Sequence, residues 1–122
     1  MREILFRGKC TNDSKNRGKW AEGYLFRFTE KGDLLIMVKD GDGGCNKVIP
    51  ESVGQYTGLT DKNGTKIFEG DVVNILTENN EIGIVKYDEG GFEVEADGFV
   101  IDFKQNINGT DLAVIGNIYD DV

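Results

Sequence analysis

A chain of 122 residues buries about two-thirds of its unfolded surface on folding, enough for one hydrophobic core and not for two independent ones. It has no His, and its two cysteines, Cys10 and Cys45, stand far apart, which removes the commonest general base and any paired-thiol or histidine zinc site. The formal charge of −8 is uneven: residues 1–55 hold ten Lys/Arg against eight Asp/Glu (+2), whereas residues 56–122 hold four against fourteen (−10), so the later half repels phosphate backbones.

The opening MREILFRGKC is charged and has no apolar run long enough for a signal peptide or a membrane span. A cytoplasmic protein with free thiols, and no membrane partner, is therefore expected. Glu3–Gly8 reads as a short strand with Ile4 and Phe6 on one face, and Thr11 to Lys19 as a polar loop. Trp20–Phe28 resumes aromatic-rich strand composition. A turn at Glu30–Asp33 leads into the apolar run Leu34–Val38, and Gly41, Gly43 and Gly44 turn the chain toward a short strand at Asn46–Ile49.

From Val53 the character changes. Asp61-Lys62-Asn63-Gly64 carries the Asn-Gly tight-turn signal, and the segment Tyr56–Phe68 reads as an entry turn. A strand then runs from about Gly70 to Leu76, and Glu78-Asn79-Asn80 reads as a hairpin loop. In the next strand Ile82, Ile84 and Lys86 alternate with Gly83, Val85 and Tyr87, a pattern compatible with packing on both faces. Phe92, Val94 and Ala96 alternate with Glu93, Glu95 and Asp97, the signature of a half-buried strand. Phe99–Phe103 and Leu112–Ile118 complete the set, and one helical turn is allowed near Ser52–Gln55 or before Leu112. Seventeen glycines against one proline suit a fold made of strands and tight turns. Five short strands within about fifty residues describe a small SH3-like barrel; closure would remove unpaired sheet edges. The fold class expected is mainly β, with an N-terminal β-strand/hairpin subdomain at 1–55 and the barrel at 56–122, forming a single compact unit.

Motifs that could carry chemistry are few. Asp40-Gly41-Asp42-Gly43-Gly44 with Glu51 approaches a calcium loop, but Gly44 offers no ligand and Cys45 stands where the loop needs Gly. The carboxylates Asp88, Glu89, Glu93, Glu95, Asp97 and Asp102 read as the solvated outer face of a hairpin rather than an acid–base pair. Ser14 and Ser52 have no His partner, and no glycine loop precedes a Lys-Ser/Thr pair, so neither a nucleophilic triad nor a phosphate cradle is expected. The reading is a protein that is not an enzyme and has no metal or cofactor. Arg2, Arg7, Lys9, Lys15, Arg17 and Lys19 lie near Trp20, Tyr24, Phe26 and Phe28; cations beside aromatics suit single-stranded nucleic acid. Arg7, Lys9, Lys15, Arg17, Lys19 and Trp20 are accordingly the candidate nucleic-acid contacts.

The ordered segments MREILFR at the start, Val53-Gly54-Gln55-Tyr56-Thr57-Gly58-Leu59-Thr60-Asp61-Lys62-Asn63-Gly64 and Ile67-Phe68-Glu69-Gly70-Asp71-Val72-Val73 in the middle, and Val114-Ile115-Gly116-Asn117-Ile118-Tyr119-Asp120 at the end together resemble the YopX family of phage and prophage proteins. The resemblance implies an SH3-like barrel for the later part, expression in a bacterial host's cytoplasm and self-association, with an unidentified host or phage protein as a further partner. It implies no activity, cofactor or binding residues. Gly54, Tyr56, Gly58, Asp61, Gly64, Gly70, Asp71, Gly116 and Tyr119 are the motif positions. A structural role is expected for them: Tyr56, Leu59, Ile67 and Phe68 anchor the turn, and Asp71 bonds back to the backbone.

Overall fold

The structure, a computed structural model, describes residues 4–12, 18–28, 33–38, 45–77, 80–88, 90–103 and 108–119; for residues 27, 28, 33–38 and 45 it describes the backbone alone. Lys15, Arg17, Asp40–Gly44 of the calcium-like loop, Glu89 and the hairpin positions Glu78 and Asn79 lie outside the described residues. The protein is mainly β, in two antiparallel sheets. The chain divides into two units, Met1–Tyr56 and Thr57–Val122.

In the first unit β1 (Phe6–Lys9), β2 (Trp20–Phe28), β3 (Asp33–Val38) and β4 (Cys45–Lys47) pair in succession. A 3-10 turn at Pro50–Ser52 follows, and β5 (Gly54–Thr60) then returns to the other side of β1. The first sheet thus runs β4-β3-β2-β1-β5 and ends on β6 (Lys66–Phe68). The two-residue period sets the core. On β1 and β2 one face holds Phe6, Cys10, Ala21 and Leu25, which cluster with Val48 and Val53. The Ser52 hydroxyl pins the 3-10 turn: it donates to the Ile49 carbonyl (2.6 Å) and accepts from the Lys9 N–H at the end of β1 (2.8 Å).

The second unit contains β7 (Asp71–Ile75), β8 (Glu81–Asp88), β9 (Gly91–Ala96), β10 (Phe99–Asp102) and, after a 3-10 turn at Gly109–Asp111, β11 (Leu112–Asn117). The order is β10-β9-β8-β7-β11: four consecutive strands form a meander and the last returns to pair with the first. Among the described residues no pairing joins β10 to β11. The core is Ile67, Val73, Ile75, Val85, Val94 and Leu112, with Leu59, Ala96, Ile101, Phe103 and Val114 packed around it.

Two local expectations are corrected here. The segment from Tyr56 is not all turn, because Tyr56–Thr60 is the body of β5 and Lys66–Phe68 is a strand of its own. Alternation is hard to see there because Gly58 and Thr57 dilute the apolar pattern. Strand β8 does not pack on both faces. Gly83 and Val85 are buried while Ile82 is 59% exposed, because only one side of the strand meets the core.

Candidate functional site

The motif residues fall at turns and strand edges, and Asp61 is the most connected of them. The residue is 3% exposed. One carboxylate oxygen accepts the N–H groups of Asn63 (2.8 Å) and Thr65 (2.9 Å), which closes the turn; the other accepts the Val114 N–H (2.8 Å) from β11. The neighbouring Lys62 N–H donates to the Leu112 carbonyl (3.0 Å). This turn therefore covers the edge of β11 that β7 does not, as buried or covered edges require. Burial pushes the Asp61 carboxyl up, but the N–H groups of Val114, Thr65 and Asn63 and the Lys62 charge outweigh it and hold the group below its ordinary value.

The other motif positions have similar duties. Tyr56 is buried, and its N–H donates to the Leu5 carbonyl (2.8 Å). Gly54, at the start of β5, pairs with Arg7. Gly58 lies inside β5, between Thr57 and Leu59. The Thr57 hydroxyl donates to the Ile67 carbonyl (2.8 Å) and accepts from the Leu59 N–H (3.2 Å). Gly64 ends the Asp61 turn, its N–H on the Asp61 carbonyl (3.0 Å). Gly70, just before β7, donates to the Val85 carbonyl of β8 (2.8 Å) and its carbonyl accepts from the Ile118 N–H just past β11 (2.9 Å). Asp71 accepts the Phe68 N–H (2.7 Å), the back-bond expected of it. Gly116 pairs with Val72 just past a bulge in β11, and the Tyr119 N–H donates to Asn117 Oδ1 (2.8 Å). These contacts hold backbone in place.

Among the described residues, the candidate nucleic-acid contacts Arg7, Lys9, Lys19 and Trp20 do not come together as an exposed set. Lys9 is 8% exposed, so its side chain cannot serve as a surface cation, because the strand that carries it is covered. Arg7 lies over the Trp20 ring, 4.9 Å from its centroid, so the guanidinium occupies an aromatic face that a base would need. Lys19 is exposed and Trp20 half-buried; Lys15 and Arg17 lie outside the described residues.

The acidic strand behaves as alternation requires: Phe92 and Val94 are buried, Glu93 is half-buried, and Glu95 and Asp97 are exposed. Lys86 on β8 pairs with Glu95 across the ladder (3.2 Å), both side chains wet, so the pair adds little. Among the described residues no group of three acidic or cysteine side chains could hold a metal ion, and no helix is long and apolar enough to cross a membrane. Cys10 is buried. The sequence reading missed a groove of about 550 Å³ on the second sheet, lined by Val72, Ile82, Ile84, Glu95 and Asp97 among others. The alternation of Ile82 and Ile84 opposite Gly83 and Val85 was its only sequence signal.

Fold and contacts define an all-β protein of two antiparallel sheets whose motif residues fix turns and strand edges. The chain belongs to the YopX family: the family described as YopX protein matches it over residues 6–122. No curated protein matches it.

Proposed function

We propose that the protein is a non-enzymatic accessory protein of a phage or prophage that works in the bacterial cytoplasm by binding protein, including copies of itself. Its second unit is read as an SH3-like barrel. That reading draws support from the order β10-β9-β8-β7-β11, in which a four-strand meander is followed by a strand that returns to the first. Family membership supports the phage lineage.

The observation that carries protein binding is the row of exposed or half-buried apolar side chains on the outer face of the second sheet: Ile82 and Val100 are exposed, and register sets Val72, Ile84 and Val100 in line across the strands. Phe99 and Val100 sit on β10, which among the described residues is an end strand of the sheet, and a sheet edge can add a strand from another chain. Light scattering tests self-association: a molar mass above the 13.5 kDa of one chain is expected at micromolar concentration. Val100→Lys on β10 is expected to lower the mass toward that of one chain, and a strict monomer in the parent overturns the self-association part.

A further inference from the structure

The side chains of the five-stranded sheet that point away from its core form a pattern of their own. Register places Val72 of β7, Ile84 of β8, Glu95 of β9 and Val100 of β10 side by side across four strands. Ile82 stands two residues from Ile84 on the same face and is 59% exposed. Here the groove of about 550 Å³ opens, with Val72, Ile82 and Ile84 as its apolar side chains and Glu95 and Asp97 as its acidic ones near the turn at Gly98.

Charge narrows what can fill it. The unit carries −10 over residues 57–122, and the rim residues Glu95 and Asp97 are both exposed carboxylates. Across the described ladder, Lys86 is the cation set against them, and it is engaged with Glu95. Nucleic acid and acidic peptides meet repulsion at such a rim. A second copy presents a net −8 and meets the same repulsion at this rim, so self-association is left to the end strand β10, where Phe99 and Val100 lie outside the groove. A Lys or Arg side chain satisfies both halves of the groove: its methylene stem lies on Ile82 and Ile84 while its head reaches the carboxylates.

We propose that this groove is the docking site for a cationic, apolar segment of a partner protein, in which Lys or Arg residues are interleaved with aliphatic or aromatic ones. The proposal rests on the protein-binding reading above and assigns it a surface and a partner chemistry. Displayed random short peptides selected on the full chain at low salt test it. The selected sequences are expected to be rich in Lys/Arg beside Leu, Ile, Val or aromatic residues. A synthetic copy of the leading sequence should bind more weakly as salt rises, and about tenfold or more weakly to Ile82→Ser and to Glu95→Gln/Asp97→Asn. Both variants change exposed side chains, and an unchanged thermal midpoint shows that the fold is intact. Selected peptides that are acidic or uncharged overturn the proposal. Peptides that bind the variants as well as the parent overturn the groove while leaving protein binding in place. An empty selection together with a monomer in light scattering overturns both readings.

Discussion

The carboxylate of Asp61 is almost fully enclosed and still carries its charge, because three backbone N–H groups point at it. Its folded carboxyl lies below the ordinary value, so the unfolded chain binds the more protons in the acid range and stability rises with pH there. The contribution is complete above the unfolded carboxyl value of about 4 and disappears as pH falls through the lower folded value. Asp61→Asn puts an amide donor against backbone donors. It should cost about 1–3 kcal/mol in urea unfolding at neutral pH, with a smaller loss of stability on acidification than the parent shows. Two glycines act at the same scale by different means. Gly64 has φ +82° with open space around its Cα, so Gly64→Ala should cost about 1 kcal/mol from backbone strain alone. A Cβ on Gly109 would overlap the Thr60 carbonyl. Gly109→Ala should therefore cost more, about 1–3 kcal/mol, as overpacking does; thermal unfolding of both variants separates the two causes.

Strands show the same division between positions that the core uses and positions that it does not. Ile67 is fully buried between β5 and β7 in sequence and sits in the core of the second unit, whereas Ile82 on β8 faces water. Ile67→Ala should cost about 2–5 kcal/mol, because the lost methyl groups leave a cavity; Ile82→Ala should stay within about 0.5 kcal/mol. Chemical denaturation of the pair checks which face of each strand is inside. Composition does not separate these two isoleucines. Each lies in an apolar stretch, and the direction of a strand's face is settled by the neighbour it meets. For the same reason the five later strands were legible from alternation and turn residues, while β5 and β6 were not: Thr57, Gly58 and Thr60 carry little apolar signal.

At the scale of the molecule, the uneven charge decides more than any single motif. Among the described residues of the basic-aromatic stretch, Lys9 is buried and Arg7 lies over Trp20, which leaves Lys19 as the exposed cation there. A gel-shift series with single- and double-stranded DNA and RNA at low salt should show no salt-dependent complex; a complex that weakens steadily with salt would restore the N-terminal stretch as a site. The acidity of the second unit shapes what the exposed apolar face of the second sheet can accept, and so joins the surface to a partner class.

Composition, the two-residue alternation and the turn dipeptides were enough by themselves to specify a β protein, its later strands and the back-bonding role of Asp71, and the ordered segments from Met1 to Asp120 carried the resemblance to the YopX family that the family match bears out. Each of these depends on residues near one another in the chain. The tertiary structure alone decided that Asp61 reaches Val114, fifty-three positions away, that Lys9 is covered, and that Val72, Ile82, Ile84, Glu95 and Asp97 share one groove. Those facts come from strands meeting across the sheet. Register between distant segments follows from the packed whole rather than from any local pattern.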